Sequence, residues 1–208
     1  MADVNNMKTF KLFPTIITGF ELDIDEYDKK NMLGYIQQHQ RPGRRWKYSL
    51  TQTEDDLHTM SFFKYFREQV IEMNEKVISD LGYEYESLII TSMWGNNLAS
   101  GGIHTPHTHS NNFLSGVFYL KTDSSSAPIQ FFDPRPQAGV LIPRKKQMND
   151  ANTNMVSFSA KENTGFIFPS WLQHWVQPSD SKERVSISWN ILVKGEYGEP
   201  HTLQNAYI

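Results

Sequence analysis

The chain has 208 residues, enough to bury a core within one domain, and its 38% hydrophobic and 13% aromatic content argues against disorder. A net charge of −3 and a pI near 6.2 offer no broad basic surface, so nucleic acid is not the expected partner; the one basic cluster lies within residues 41–47. The absence of cysteine excludes disulfide staples, thiolate metal sites and cysteine nucleophiles.

No charged-then-apolar leader opens the sequence and no apolar run reaches membrane-spanning length, so a cytoplasmic protein with no membrane partner is expected. After a short apolar stretch over residues 10–20, Asp23 and Asp25 can cap a helix to about Gln38, with Met32, Leu33 and Ile36 on one face. Residues 40–57 are polar, contain Pro42 and Gly43, and read as a loop. A stronger helix is predicted over residues 59–80. Phe62, Phe63, Phe66, Val70, Met73, Val77 and Leu81 recur on it at three- and four-residue spacing before Gly82 stops it.

From Ser87 the pattern changes to short strands separated by Gly, Ser, Asn and Pro. Strands are predicted at residues 88–94, 113–120, 129–132, 165–168 and 185–193, a spacing that suggests a sandwich or barrel. In the last of them Val185, Ile187, Trp189 and Ile191 face one way, and Ser186, Ser188 and Asn190 the other. The expected organisation is a single domain over 1–208: a helix-rich support to about residue 86, an all-β core over about 87–198, and a tail at 199–208.

Four of the seven histidines, His104, His107, His109 and His174, fall in the strand-rich half before the tail. Residues i and i+2 of a strand share a face, so His107 and His109 can reach one metal ion. By the same parity His104, three residues before His107, faces away and reads as a loop or supporting histidine. His174 ends a short apolar strand near a turn, and Arg184 and Ser186 follow ten residues later, sharing a face. An arginine pointing into a barrel is costly unless it meets an anion, and a guanidinium suits bidentate capture of a carboxylate.

Taken together these motifs resemble the iron(II)/2-oxoglutarate dioxygenases, in particular a subgroup of 2-oxoglutarate/iron(II) oxygenases common in bacteria and phages. The resemblance runs through Leu12-Phe13-Pro14, Trp94-Gly95-Asn96, His107-x-His109 and Leu114-Ser115-Gly116-Val117-Phe118-Tyr119. It continues through Phe132-Asp133-Pro134-Arg135, Phe168-Pro169-Ser170-Trp171-Leu172-x-His174 and Arg184-Val185-Ser186-Ile187-Ser188-Trp189-Asn190. It implies a double-stranded β-helix (a cupin-like jelly roll) and Fe(II) held by His107, His109 and His174. It also implies 2-oxoglutarate gripped through its distal carboxylate by Arg184 and Ser186, and O₂ as oxidant.

The chemistry so implied is hydroxylation of an unidentified small molecule or protein side chain, with release of succinate and CO₂. Trp94, Asn96 and Asn190 are candidate pocket residues, with Asn96 a candidate hydrogen-bond partner of the co-substrate; Trp94 and Trp171 read foremost as packing, and Arg135 could face substrate. Edge strands leave a homo-oligomer possible.

One position departs from the family pattern, which carries a carboxylate two residues after the first histidine. His109 stands there instead and leaves the metal one unit more positive. Three alternatives stay open: His109 as third ligand, Asp133 in its place, or an open coordination position. The competing functions are a three-histidine cupin-type dioxygenase that uses no 2-oxoglutarate, and a non-catalytic jelly-roll module.

Overall fold

The computed structural model describes residues 7–42 and 50–208. The opening residues read for a leader and most of the basic cluster at 41–47 lie outside the described residues, as does much of the loop expected at 40–57.

The described elements begin with β1 (Thr18–Glu21), α1 (Glu26–Gln38), β2 (Arg41–Pro42), β3 (Leu50–Gln52) and α2 (Lys64–Asp80). The strand-rich half follows with β4 (Ser87–Leu98), β5 (His104–His107), β6 (Leu114–Lys121), β7 (Ile129–Phe132) and β8 (Met155–Phe158). It closes with β9 (Thr164–Pro169), β10 (His174–Val176), β11 (Val185–Lys194), β12 (Glu196–Tyr197) and β13 (Ala206–Tyr207). These form a seven-stranded sheet in the order β1-β9-β6-β11-β4-β3-β2 and a four-stranded sheet in the order β5-β10-β7-β8. The strand pairings within both are antiparallel.

Pleating sorts each central strand into two faces. On β11, Val185, Ile187, Trp189, Ile191 and Val193 enter one apolar core with Phe118 and Leu120 of β6 and the buried faces of both helices. The opposite face of the large sheet, with Val117, Tyr119 and Phe168, packs on Ile129 and Phe131 of the smaller one. The strand β6 is therefore buried on both sides, which explains why its sequence is apolar without alternation.

Asp25 accepts hydrogen bonds from the backbone N–H groups of Tyr27 and Asp28, so it alone of the two predicted aspartates caps α1. Helix α2 ends in a Schellman arrangement: the N–H of Gly82 reaches Ser79 O, that of Tyr83 reaches Ile78 O, and Gly82 has φ +77°. Its buried stripe is Phe66, Val70, Asn74, Val77 and Ile78, whereas Phe62 is 58% exposed. Phe62 belongs to a preceding 3₁₀ turn (Ser61–Phe63), which rotates it off the helical periodicity.

Other elements differ from the sequence reading. The region around residue 50 is not all loop, because β3 adds to the edge of β4 with Leu50 opposite Leu98. β1, β5, β8 and β10 are too short to stand out in a hydrophobicity pattern and owe their existence to pairing. The expected tail folds back instead: β12 pairs with β13, and the Tyr207 hydroxyl donates to Glu86 Oε2 at 2.6 Å.

Candidate active site

His107 and His174 lie directly opposite each other across the β5–β10 pair, and His174 also pairs with Phe131 of β7. His109 lies two residues past the end of β5, where its backbone N–H donates to Ser170 O at 2.9 Å. That bond, rather than strand parity alone, turns its ring toward the other two. Ligand atoms of His107, His109 and His174 all fall within 4.8 Å of one another.

The residues present fit a metal ion. His107 Nδ1 lies 2.7 Å from Thr105 O and His174 Nδ1 lies 2.9 Å from Leu172 O. A carbonyl only accepts, so each Nδ1 carries the proton and each Nε2 keeps its lone pair for a ligand bond. Burial, with the neighbouring His107, lowers His109 from the usual 6.5 to about 4. Burial, His107 and His109 together take His174 down to about 3, against an opposing contribution from the Leu172 carbonyl. Burial likewise lowers His107, opposed by its bond to Thr105. The rings are thus neutral near pH 7, the form that binds metal.

His104 does not face away. His107 pairs with His174 but His104 pairs with Val176, so three steps on β5 match two on β10. This bulge cancels the parity rule, and the His104 ring stacks on that of His107 with centroids 4.4 Å apart. Burial first, then His107, His174, His109 and Arg184, hold His104 well below the ordinary histidine value.

Arg184 and Ser186 line the same cavity. Arg184 is 4% exposed and no acidic residue pairs with it among the described residues. Its Nε donates to Ala127 O at 3.2 Å, and its guanidinium carbon lies 5.0 Å from the centre of the Tyr119 ring. Burial lowers its pKa, with Tyr119 acting in the opposite direction. The Tyr119 hydroxyl is buried without a hydrogen-bond partner among the described residues. A buried guanidinium with the Tyr119 hydroxyl beside it is chemically suited to a carboxylate. Tyr119 was not singled out in the sequence, where it reads as one more aromatic in an apolar strand.

Asn96 is buried and already engaged: its Oδ1 accepts from Gln52 and Trp94, at 2.8 and 3.0 Å, and its Nδ2 donates to Ser188 Oγ at 3.0 Å. Trp94, expected to be packing, lines the cavity with its ring 5.8 Å from that of His109. Trp171, also expected to pack, is 58% exposed, because the turn after β9 carries it outward. Asn190 accepts from Ser115 Oγ at 2.7 Å and donates to Ser92 Oγ at 3.0 Å, while Ser115 also meets Ser170 Oγ at 2.8 Å. That buried network braces the turn whose carbonyl holds His109; it does not line the cavity.

Asp133 is not part of the histidine cluster. Its Oδ1 accepts from the Arg135 backbone N–H and Nε, and its Oδ2 from Nη2, at 2.9–3.0 Å, so Asp133 and Arg135 neutralise each other. Both line a second cavity of about 740 Å³, which reaches Gln173 next to His174 and also carries Arg144, Lys145 and Lys146.

A β-sandwich holding three converging neutral imidazoles, with a buried guanidinium in the same cavity, is built as a metal-dependent enzyme handling an anion. Residues 92–190 match a family model described as "Putative 2OG-Fe(II) oxygenase", a segment that includes every residue placed at the cavity except Leu50. That segment carries the pattern of the 2OG-Fe(II) oxygenases, and the class it indicates is that of a 2-oxoglutarate- and Fe(II)-dependent oxygenase. No curated protein matches the sequence.

Among solved structures, the Pseudomonas putida prolyl-4-hydroxylase aligns with a TM-score of 0.62 at 11% identity, over 87% of this chain and 94% of that one. The viral collagen prolyl hydroxylase of Paramecium Bursaria Chlorella virus-1, as its 2OG complex, aligns at 0.57 and 10%, over 84% and 94%. HygX from Streptomyces hygroscopicus, with nickel, 2-oxoglutarate and hygromycin B bound, aligns at 0.57 and 8%, over 85% and 82%. At these identities the likeness is one of fold.

Proposed function

We propose that the chain hydroxylates a C–H bond of a small molecule or a protein side chain, consuming 2-oxoglutarate and O₂ and releasing succinate and CO₂. We read the two facing sheets as a double-stranded β-helix, with the helices as its support within one domain. His107, His109 and His174 hold iron through one nitrogen each, and the carbonyls of Thr105 and Leu172 fix the tautomers of His107 and His174. Bound iron supplies the redox chemistry that couples decarboxylation of 2-oxoglutarate to substrate oxidation.

The protein's own part is positioning. Arg184 takes the distal carboxylate, with Ser186 and the Tyr119 hydroxyl as further donors, and Asn96 offers its remaining amide hydrogen. Val117, Ile129 and Phe168 give the cavity dry walls that strengthen these contacts. Both substrate classes have parallels among the structural neighbours: one, from Trichoplax adhaerens, is a prolyl hydroxylase in complex with a peptide fragment, and HygX is seen with hygromycin B.

The single observation that carries the reading is a buried Arg184, with no acidic partner among the described residues, in the cavity of three neutral histidines. The test is anaerobic addition of 2-oxoglutarate to the Fe(II) protein. A metal-to-ligand absorption band should appear, weaken in Arg184→Ala at modest co-substrate concentration, and be followed by succinate formation when O₂ is admitted. The all-histidine donor set favours one second reading, a dioxygenase that binds iron yet ignores 2-oxoglutarate. Iron uptake with no band and no succinate would establish that reading instead.

A further inference from the structure

His104 is used by nothing described so far, although the bulge in β5 costs regular pairing to turn it inward. Its ring is held against His107, yet it stands outside the group of three whose ligand atoms converge. The Nδ1 atoms of His107 and His174 are tied to carbonyls, whereas no hydrogen bond joins the His104 ring to another described residue. It lines the cavity nonetheless, so its ring nitrogens are offered to the cavity's occupant.

Its place along the cavity says what that occupant presents there. Three strands run side by side, and the rung of His107, His174 and Phe131 marks the metal end. The next rung on the same face, two residues along β10, holds His104, Val176 and Ile129. Beyond it Val176 packs in a small cluster with Ala127, whose carbonyl is bound by Arg184. His104 thus stands between the metal end and the Arg184 end. A molecule spanning the two must pass it.

Building on the co-substrate reading above, we propose that His104 is a positioning residue that donates a ring N–H to a carboxylate oxygen of 2-oxoglutarate lying between the histidine triad and Arg184. A neutral imidazole has one N–H to give, and a bond to a carboxylate is among the stronger hydrogen bonds. Its loss should weaken co-substrate binding about tenfold or more without removing the metal.

The experiment uses the full chain loaded anaerobically with Fe(II), comparing wild type with His104→Phe, His104→Ala and His104→Gln. Iron per chain is measured directly, and 2-oxoglutarate affinity is read from titration of the metal-to-ligand band. His104→Phe keeps the ring against His107 and removes the donor, so it should hold iron fully while binding 2-oxoglutarate at least tenfold more weakly. His104→Ala should behave likewise. His104→Gln, which restores an N–H, should recover part of the loss, and the effect should fall on KM for 2-oxoglutarate more than on kcat.

Loss of iron in the Phe and Ala variants would make His104 a metal ligand and overturn the proposal. Unchanged affinity for 2-oxoglutarate would overturn it too, leaving the co-substrate reading intact. Wild-type protein that holds iron but binds no 2-oxoglutarate would sink that reading, and this inference with it.

Discussion

Arg184 is a place where function and stability should pull in opposite directions. The guanidinium is 4% exposed and faces no carboxylate among the described residues. Burying an ion costs several kcal/mol even after relaxation. Against that stand one hydrogen bond to Ala127 O at 3.2 Å, long enough to contribute only about 1.5 kcal/mol, and the Tyr119 ring at 5.0 Å, contributing about 1 kcal/mol. An apolar residue of similar length removes the ion and keeps the packing, so Arg184→Met should stabilise the metal-free protein by about 1–3 kcal/mol. In a domain of this size that raises Tm by about 2–12 °C.

The same variant should lose its response to co-substrate. Iron-loaded wild type in 2-oxoglutarate at a hundred times Kd gains about 2.7 kcal/mol. The variant should gain nothing measurable at that concentration. Thermal unfolding of both proteins, metal-free and iron-loaded, with and without 2-oxoglutarate, reads both effects. A metal-free Arg184→Met that melts below wild type would show that the guanidinium is not an unsatisfied charge. A variant still stabilised by 2-oxoglutarate would show that the carboxylate is held elsewhere.

Three further outcomes follow from the same structure. Metal-free protein should lose stability as pH falls from about 6.5 toward 4, because unfolded histidines near 6.5 take up protons that His109, at about 4, and His174, at about 3, refuse when folded. Urea unfolding at pH 7.5 and pH 5 should reveal the drop, and it should narrow in His109→Gln; equal midpoints at the two pH values would refute the shifts. Gly116→Ala should cost about 3 kcal/mol or more, since the added Cβ would sit 2.2 Å from Cζ2 of fully buried Trp189, and a near-native Tm would contradict that packing. Asp133→Asn should leave iron binding unchanged, because that carboxylate serves Arg135; an iron-free variant would restore Asp133 as the third ligand.

Much of this protein could be read directly from its residue order. The periodicity of β11, the aspartate cap of α1, the glycine stop of α2 and the solitary Arg184 beside an alternating serine face are local signals. Each depends on geometry that repeats every two or 3.6 residues, so sequence spacing alone locates it. The histidines that converge were likewise named from their spacing and from a family resemblance. The third ligand was not: spacing left Asp133 open beside His109, and only the fold shows that carboxylate bound to Arg135 and outside the histidine cluster.

What spacing could not reach was settled by contacts between distant parts of the chain. β5 and β10 are short segments stabilised by partners, and the bulge between them overrules the parity that pointed His104 away from the cavity. His109 is turned inward by a carbonyl 61 positions along the chain, on Ser170, and Tyr119 gains its meaning only because Arg184 lies over its ring. The amino-acid order by itself determined which residue types are on offer for the chemistry. The tertiary structure decided which of them face one another, because a register shift or a cross-strand hydrogen bond joins positions that no local period relates.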